Sequence, residues 1–131
     1  MKNALVVSLI ALVAGIALFA ATARPPASEA MPPYATGYPL IKEAYVFASA
    51  NPEKLDGVPC YCGCMQHPHG GRLHSRGLLD CYKNGDAFER HASECEMCIM
   101  DALSVKKMDS EGKSKEEIVR AINAKYAGQM H

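Results

Sequence analysis

Three cysteines stand within five residues, in the segment Pro59-Cys60-Tyr61-Cys62-Gly63-Cys64. Three more, Cys81, Cys95 and Cys98, complete a set of six in a chain of 131 residues. Sulfurs so close along one backbone cannot all be satisfied by pairing with each other. Each needs a distant cysteine or a soft metal ion, or else remains a free thiol. Thiolates are soft donors that select Cu(I), Zn(II) and iron–sulfur clusters. Cys95-x-x-Cys98 has the spacing of structural zinc ligands, but C-x-C-x-C is tighter than a zinc knuckle. Two- and three-coordinate Cu(I), in clusters bridged by shared sulfurs, suits crowded cysteines better. The residues therefore point first to Cu(I) and second to zinc.

Disulfides are the competing reading. An even number of cysteines in a small exported chain usually forms bridges. Linking each loop cysteine to one outside it would staple the loop to the helices. Yet each bridge needs a Cα separation of about 5.5 Å, a demanding requirement for two cysteines on one helix reaching into a five-residue loop. Histidines widen the donor set. His91 falls among apolar positions near Cys95, and His74 precedes the segment that holds Cys81. His67 and His69, in a polar Gly- and Pro-rich loop, read as solvated surface. Met65, Met97 and Met100 flank the cysteines, where packing is a commoner role than ligation.

The elements that must position these groups are helical. Leu40, Ile41, Ala44, Phe47 and Ala48 recur at helical spacing until Asn51-Pro52 ends the run. A short helix is expected over Leu78 to Tyr82, closed by Asn84-Gly85. Asp86 and Glu89 have capping-box spacing, opening a long helix that runs to about Met108. At about 100° per residue, Phe88, His91, Cys95, Cys98 and Ala102 then share one face, with His91 stacked over Cys95 at i,i+4. Ser114-x-x-Glu117 caps the last helix, which aligns Ile118, Val119, Ile122 and Tyr126. No stretch demands a strand. The expected fold is all-α, about four helices around a Cys-rich loop.

The N-terminus implies export. Met1-Lys2-Asn3 is basic, residues 4–21 are almost wholly apolar, and Ala21-Thr22-Ala23 is a small-x-small cleavage triplet. Residues 1–23 thus read as a signal peptide, with a retained membrane anchor as the alternative. Residues 24–39, rich in Pro, Ala and Gly, read as a flexible linker, and residues 40–131 as the Cys-rich helical domain. No cysteine follows the apolar run at a lipid-attachment position. The expected location is the periplasm or another extracytoplasmic space, on the membrane only if the anchor stays.

Composition narrows the functions further. With 14 basic and 14 acidic residues, the chain lacks the basic footprint of a nucleic-acid binder. There is no tryptophan, and a core of small aliphatic residues gains from cross-links or metal. No nucleophile–base pair, paired carboxylate or phosphate loop is legible, so a binding protein is expected rather than an enzyme. Its partners would be the metal ion and another metal-handling or thiol protein.

The hexapeptide Pro59 to Cys64 resembles the signature of the PCYCGC-motif proteins, small exported or lipid-anchored bacterial proteins. His74, Leu79-Asp80-Cys81-Tyr82, His91-Ala92, Cys95 and Cys98 are similar to the family's later blocks. The resemblance implies export, a helical fold and clustered cysteines, and it suggests a heavy-metal role without fixing an activity. Separately, Gly112 to Ile118 with Ala124-Lys125-Tyr126 is similar to a helix in the thiol reductases of cytochrome c maturation. That likeness supports the alternative of thiol–disulfide exchange, with Cys62 or Cys64 as attacking sulfur.

Overall fold

A computed structural model describes residues 31–128. Residues 1–23, where a signal peptide is expected, residues 24–30 of the expected linker and residues 129–131 lie outside the described residues. Four α-helices form the frame: α1 (Pro39–Ala50), α2 (Pro52–Leu55), α3 (Glu96–Ser110) and α4 (Lys115–Tyr126). Among the described residues, no helix is long and apolar enough to cross a membrane.

Proline punctuates the first two helices. Pro39 and Pro52 each occupy the first turn, where a missing N–H costs nothing. Between them the Asn51 side-chain amide donates to the Phe47 carbonyl and closes α1. The buried face of α1 carries Ala44, Tyr45, Phe47 and Ala48 and packs against α3. At the other end of the chain, the Ser114–Glu117 capping box forms as the spacing predicts. Helix α4 then buries Ile118, Ile122 and Tyr126. It is tied to α3 at Asp101, fully buried, which accepts from Lys125 Nζ at 2.7 Å and from the Tyr126 hydroxyl at 2.9 Å.

Three expectations need correction. The expected linker is partly ordered: Pro33–Ala35 form a 3-10 turn, Ala35 is buried, and the Tyr34 hydroxyl donates to the Phe88 carbonyl. A minimal antiparallel hairpin, β1 (Lys83–Asn84) with β2 (Ala87–Phe88), pairs Lys83 with Phe88 and Asn84 with Ala87. Gly85, at φ 60°, supplies the positive φ that the first central position of a type II′ turn requires. The fold is therefore mostly helical rather than all-α. Finally, the long helix does not open at Asp86. Residues 86–88 are consumed by the hairpin, His91–Glu94 form a separate 3-10 turn, and α3 begins only at Glu96.

The core lies between α1, α3 and the 3-10 helix Gly77–Cys81. Its centre is an edge-to-face pair of Tyr45 and Tyr82 with centroids 4.9 Å apart. Both hydroxyls are spent on backbone: Tyr82 donates to the Cys98 carbonyl at 2.7 Å, and Tyr45 accepts from the Ser93 amide. Tyr82 thus ties the segment that holds Cys81 to the start of α3, and Tyr45 ties α1 to the turn that precedes Cys95.

Candidate metal centre

The motif loop is held from both sides. Leu78 N–H donates to the Val58 carbonyl at 2.8 Å, and Gly57 N–H to the Arg76 carbonyl at 3.0 Å, so the segment before Cys60 lies against the one before Cys81. Beyond the loop, His74 N–H donates to the Cys64 carbonyl. Within it, Gly63 at φ 94° reverses the chain, and its carbonyl accepts from the amides of Gln66 and His67. The Cys60 amide reaches the Met65 thioether at 3.2 Å. Met65 therefore braces the turn. Met97 packs partly buried against the core, and Met100 is exposed.

These constraints draw all six cysteines together. Cys60 Sγ lies 3.2 Å from Cys62, 3.6 Å from Cys81 and 3.7 Å from Cys98. Cys64 and Cys81 are 3.7 Å apart, as are Cys62 and Cys98. Cys95 caps α3, its Sγ accepting the Cys98 amide at 3.4 Å. No sulfur pair is at bonding distance, and all six thiols are free. Cys60, Cys64, Cys81 and Cys98 are buried, whereas Cys62 and Cys95 are partly exposed and form the rim.

His91 reaches the cluster by a different route from the one its spacing implies. It does not stack over Cys95 on a shared helix, because Cys95 is extended at φ −125°, ψ 101° and interrupts the chain there. That break swings the imidazole onto the motif loop, with Nε2 3.4 Å from Cys62 Sγ. His74 is buried beside Cys81, Nδ1 to Sγ 3.3 Å. His69, read from sequence as plain surface, is exposed, yet its ring centroid lies 4.5 Å from that of His91. Nothing in periodicity or spacing connects residues 69 and 91. His67 remains solvated surface.

Two groups of donors meet the distance requirement for an ion. Cys60, Cys62, Cys64 and Cys81 form one, and Cys62, His91, Cys95 and Cys98 the other, with the ligand atoms of each group within 4.8 Å of one another. His74 stands just outside both, against Cys81. The electrostatics are uneven across the cluster. Hydrogen bonds from the thiols of Cys60, Cys81, Cys95 and Cys98 pull the Cys62 thiol far below its ordinary value. Three of these partners move the other way: Cys98 and Cys81 are raised chiefly through Cys60 and Cys62, and Cys95 through Cys62, whereas Cys60 is itself lowered. Burial, with the neighbouring charges of His91 and Arg72, lowers His74 and keeps its imidazole neutral.

A carboxylate that sequence reasoning passed over supports Cys81. Asp80 is buried and accepts from Arg76 Nε at 2.8 Å and from the Arg76 backbone amide at 2.9 Å, with Arg72 at 3.4 Å. The i,i+4 spacing of Arg76 and Asp80 was the available signal. Burial opposes the charge, but the Arg76 hydrogen bonds and both guanidinium charges outweigh it and hold Asp80 below its ordinary value. A depressed carboxylate stabilises the fold above its unfolded pKa, about 3.9, and loses that contribution as pH falls through the folded value. Asp80→Asn should cost about 2–3 kcal/mol at neutral pH. In urea melts followed across pH, the gap between wild type and variant should hold above about pH 5 and shrink below about pH 4. A gap independent of pH would contradict this.

The family described as "Protein of unknown function with PCYCGC motif" matches residues 24–130. The chain belongs to this family. The match takes in every cysteine and histidine of the centre. No curated protein and no solved structure matches the chain.

Proposed function

We propose that this PCYCGC protein is an exported carrier or buffer for a thiophilic metal ion, with Cu(I) as cargo and Zn(II) as the closest competitor. One observation carries the reading: six free thiols, drawn from a loop, a 3-10 helix and an α-helix, converge with an imidazole into groups of ligand size. Soft donors in this number favour Cu(I), and their crowding suits thiolates shared between ions. The half-exposed rim of Cys62, Cys95 and His91 lets a partner's ligand replace one donor at a time. The buried sulfurs behind it retain the ion meanwhile. Export follows from the basic start, the apolar run and the cleavage triplet of residues 1–23.

The test is a Cu(I) titration of anaerobically reduced protein, with free thiols counted against a colorimetric reagent. All six thiols should react in the unloaded unfolded protein, and they should become protected as Cu(I) is added. Thiols that stay reactive with Cu(I) present would overturn the proposal.

One observation favours a second reading, thiol–disulfide exchange. Cys62 is partly exposed and its thiol is shifted toward the thiolate, as an attacking sulfur requires. Cys64, the other candidate, is fully buried. A single labile disulfide with an oxidising potential, formed at Cys62, would favour exchange over metal carriage.

A further inference from the structure

The two donor groups contain seven residues between them, because Cys62 belongs to both. A single four-coordinate ion would use one group and leave three donors of the other gathered around nothing. Two such ions with separate ligands would need an eighth donor. His74, the nearest remaining imidazole, belongs to neither group and is directed at Cys81. For four-coordinate ions such as Zn(II) or Cd(II), sharing one sulfur removes the shortfall.

The interatomic distances fit this division. A tetrahedral ion with metal–sulfur bonds of about 2.3 Å has sulfur–sulfur edges of about 3.8 Å, and a mixed nitrogen–sulfur edge of about 3.6 Å. In the first group, Cys60–Cys81 is 3.6 Å and Cys64–Cys81 is 3.7 Å, while Cys60–Cys62, at 3.2 Å, would have to open by about 0.6 Å to span the edge. In the second, Cys62–Cys98 is 3.7 Å and Cys62 to His91 Nε2 is 3.4 Å. The groups also touch across their boundary, Cys60 to Cys98 at 3.7 Å, so ions held in them would be immediate neighbours. The sequence accounts for the arrangement. In C-x-C-x-C the outer cysteines, Cys60 and Cys64, are buried toward Cys81, and the middle one faces His91 and the start of α3.

We propose that the cluster is a binuclear centre, one ion on Cys60, Cys62, Cys64 and Cys81, a second on Cys62, His91, Cys95 and Cys98, with the Cys62 sulfur bridging them. This deepens the metal-carrier reading and rests on it. Binding is ligand substitution, with thiol protons released to solvent and no change of oxidation state. The middle cysteine of the motif then has a role its neighbours do not share: it couples the two sites.

Cadmium-113 is the probe, because it reports sulfur ligation and couples through a shared ligand. Titration of the reduced protein with Cd(II), followed by sulfur-to-metal charge-transfer absorbance, should break at two ions per chain. The NMR spectrum should show two resonances, one for an all-sulfur site and one for a site with nitrogen, each split by the other. Cys62→Ser should abolish the splitting, and Cys95→Ser should weaken only the mixed-ligand site by at least tenfold. The wild-type splitting decides the matter even if Cys62→Ser fails to fold, which circular dichroism would reveal. A break at one ion with a single resonance overturns the binuclear centre and leaves the carrier reading intact. Two resonances without splitting overturn the shared sulfur. No cadmium–sulfur absorbance at all overturns both.

Discussion

Loading the reduced protein with its ion at a free concentration about a thousandfold above Kd should raise stability by about 4 kcal/mol. For a domain of this size that is a rise in Tm of roughly 15–30 °C. The expectation follows from where the donors come from. Cys60, Cys62 and Cys64 lie on a loop, Cys81 ends a 3-10 helix, His91 lies in a second one, and Cys95 and Cys98 open α3. Unfolding scatters them, so the ion's affinity belongs to the folded state and adds to its stability. Differential scanning fluorimetry with and without Cu(I) or Zn(II) checks the shift, and a strong chelator should reverse it. An unchanged Tm at saturating metal would mean that these sulfurs hold no ion in the folded protein.

Gly77→Ala should remove most of the stability and the centre with it. Gly77 opens the 3-10 helix that ends at Cys81, with φ 66°, a conformation disfavoured for any residue with a Cβ. A Cβ there would stand 2.1 Å from the Val58 carbonyl oxygen, which is backbone and cannot rotate aside. That same oxygen accepts the Leu78 amide and fixes the approach to Cys60. The left-handed penalty and the forced separation together amount to about 3–5 kcal/mol. A small domain has about 5–15 kcal/mol in total. Urea unfolding and cadmium charge-transfer absorbance, measured on one sample, should fall together. A variant that melts like wild type would show that the two segments can part without disturbing the sulfurs.

The readable part of this molecule was the part with local signals. Helix α1 and the S-x-x-E cap of α4 each depend on residues a few positions apart, and both form. The start of α3 failed because a cysteine competed for the cap. Cys95 accepts the Cys98 amide with its sulfur, a role that Asp86 and Glu89 were expected to fill nine residues earlier in carboxylate form. The Gly85-Asp86 pair was claimed instead by a hairpin of two-residue strands, too short to show alternation. Helical spacing points to His91, yet helical stacking does not bring it to Cys62; the interruption at Cys95 does. His69 beside His91, and Asp80 with Arg72 and Arg76, arise from tertiary contacts that spacing alone does not reveal. The division of the donors into two groups with one member in common is likewise a property of the folded chain.

The most direct measurement of the central claim is X-ray absorption at the metal edge of protein reduced anaerobically and loaded with Cu(I). Ligation by this cluster predicts a first shell dominated by sulfur, with a neighbouring metal scatterer, and loss of that shell when the cysteines of the motif are replaced by serine. A first shell of nitrogen and oxygen alone, unchanged by those replacements, would contradict it.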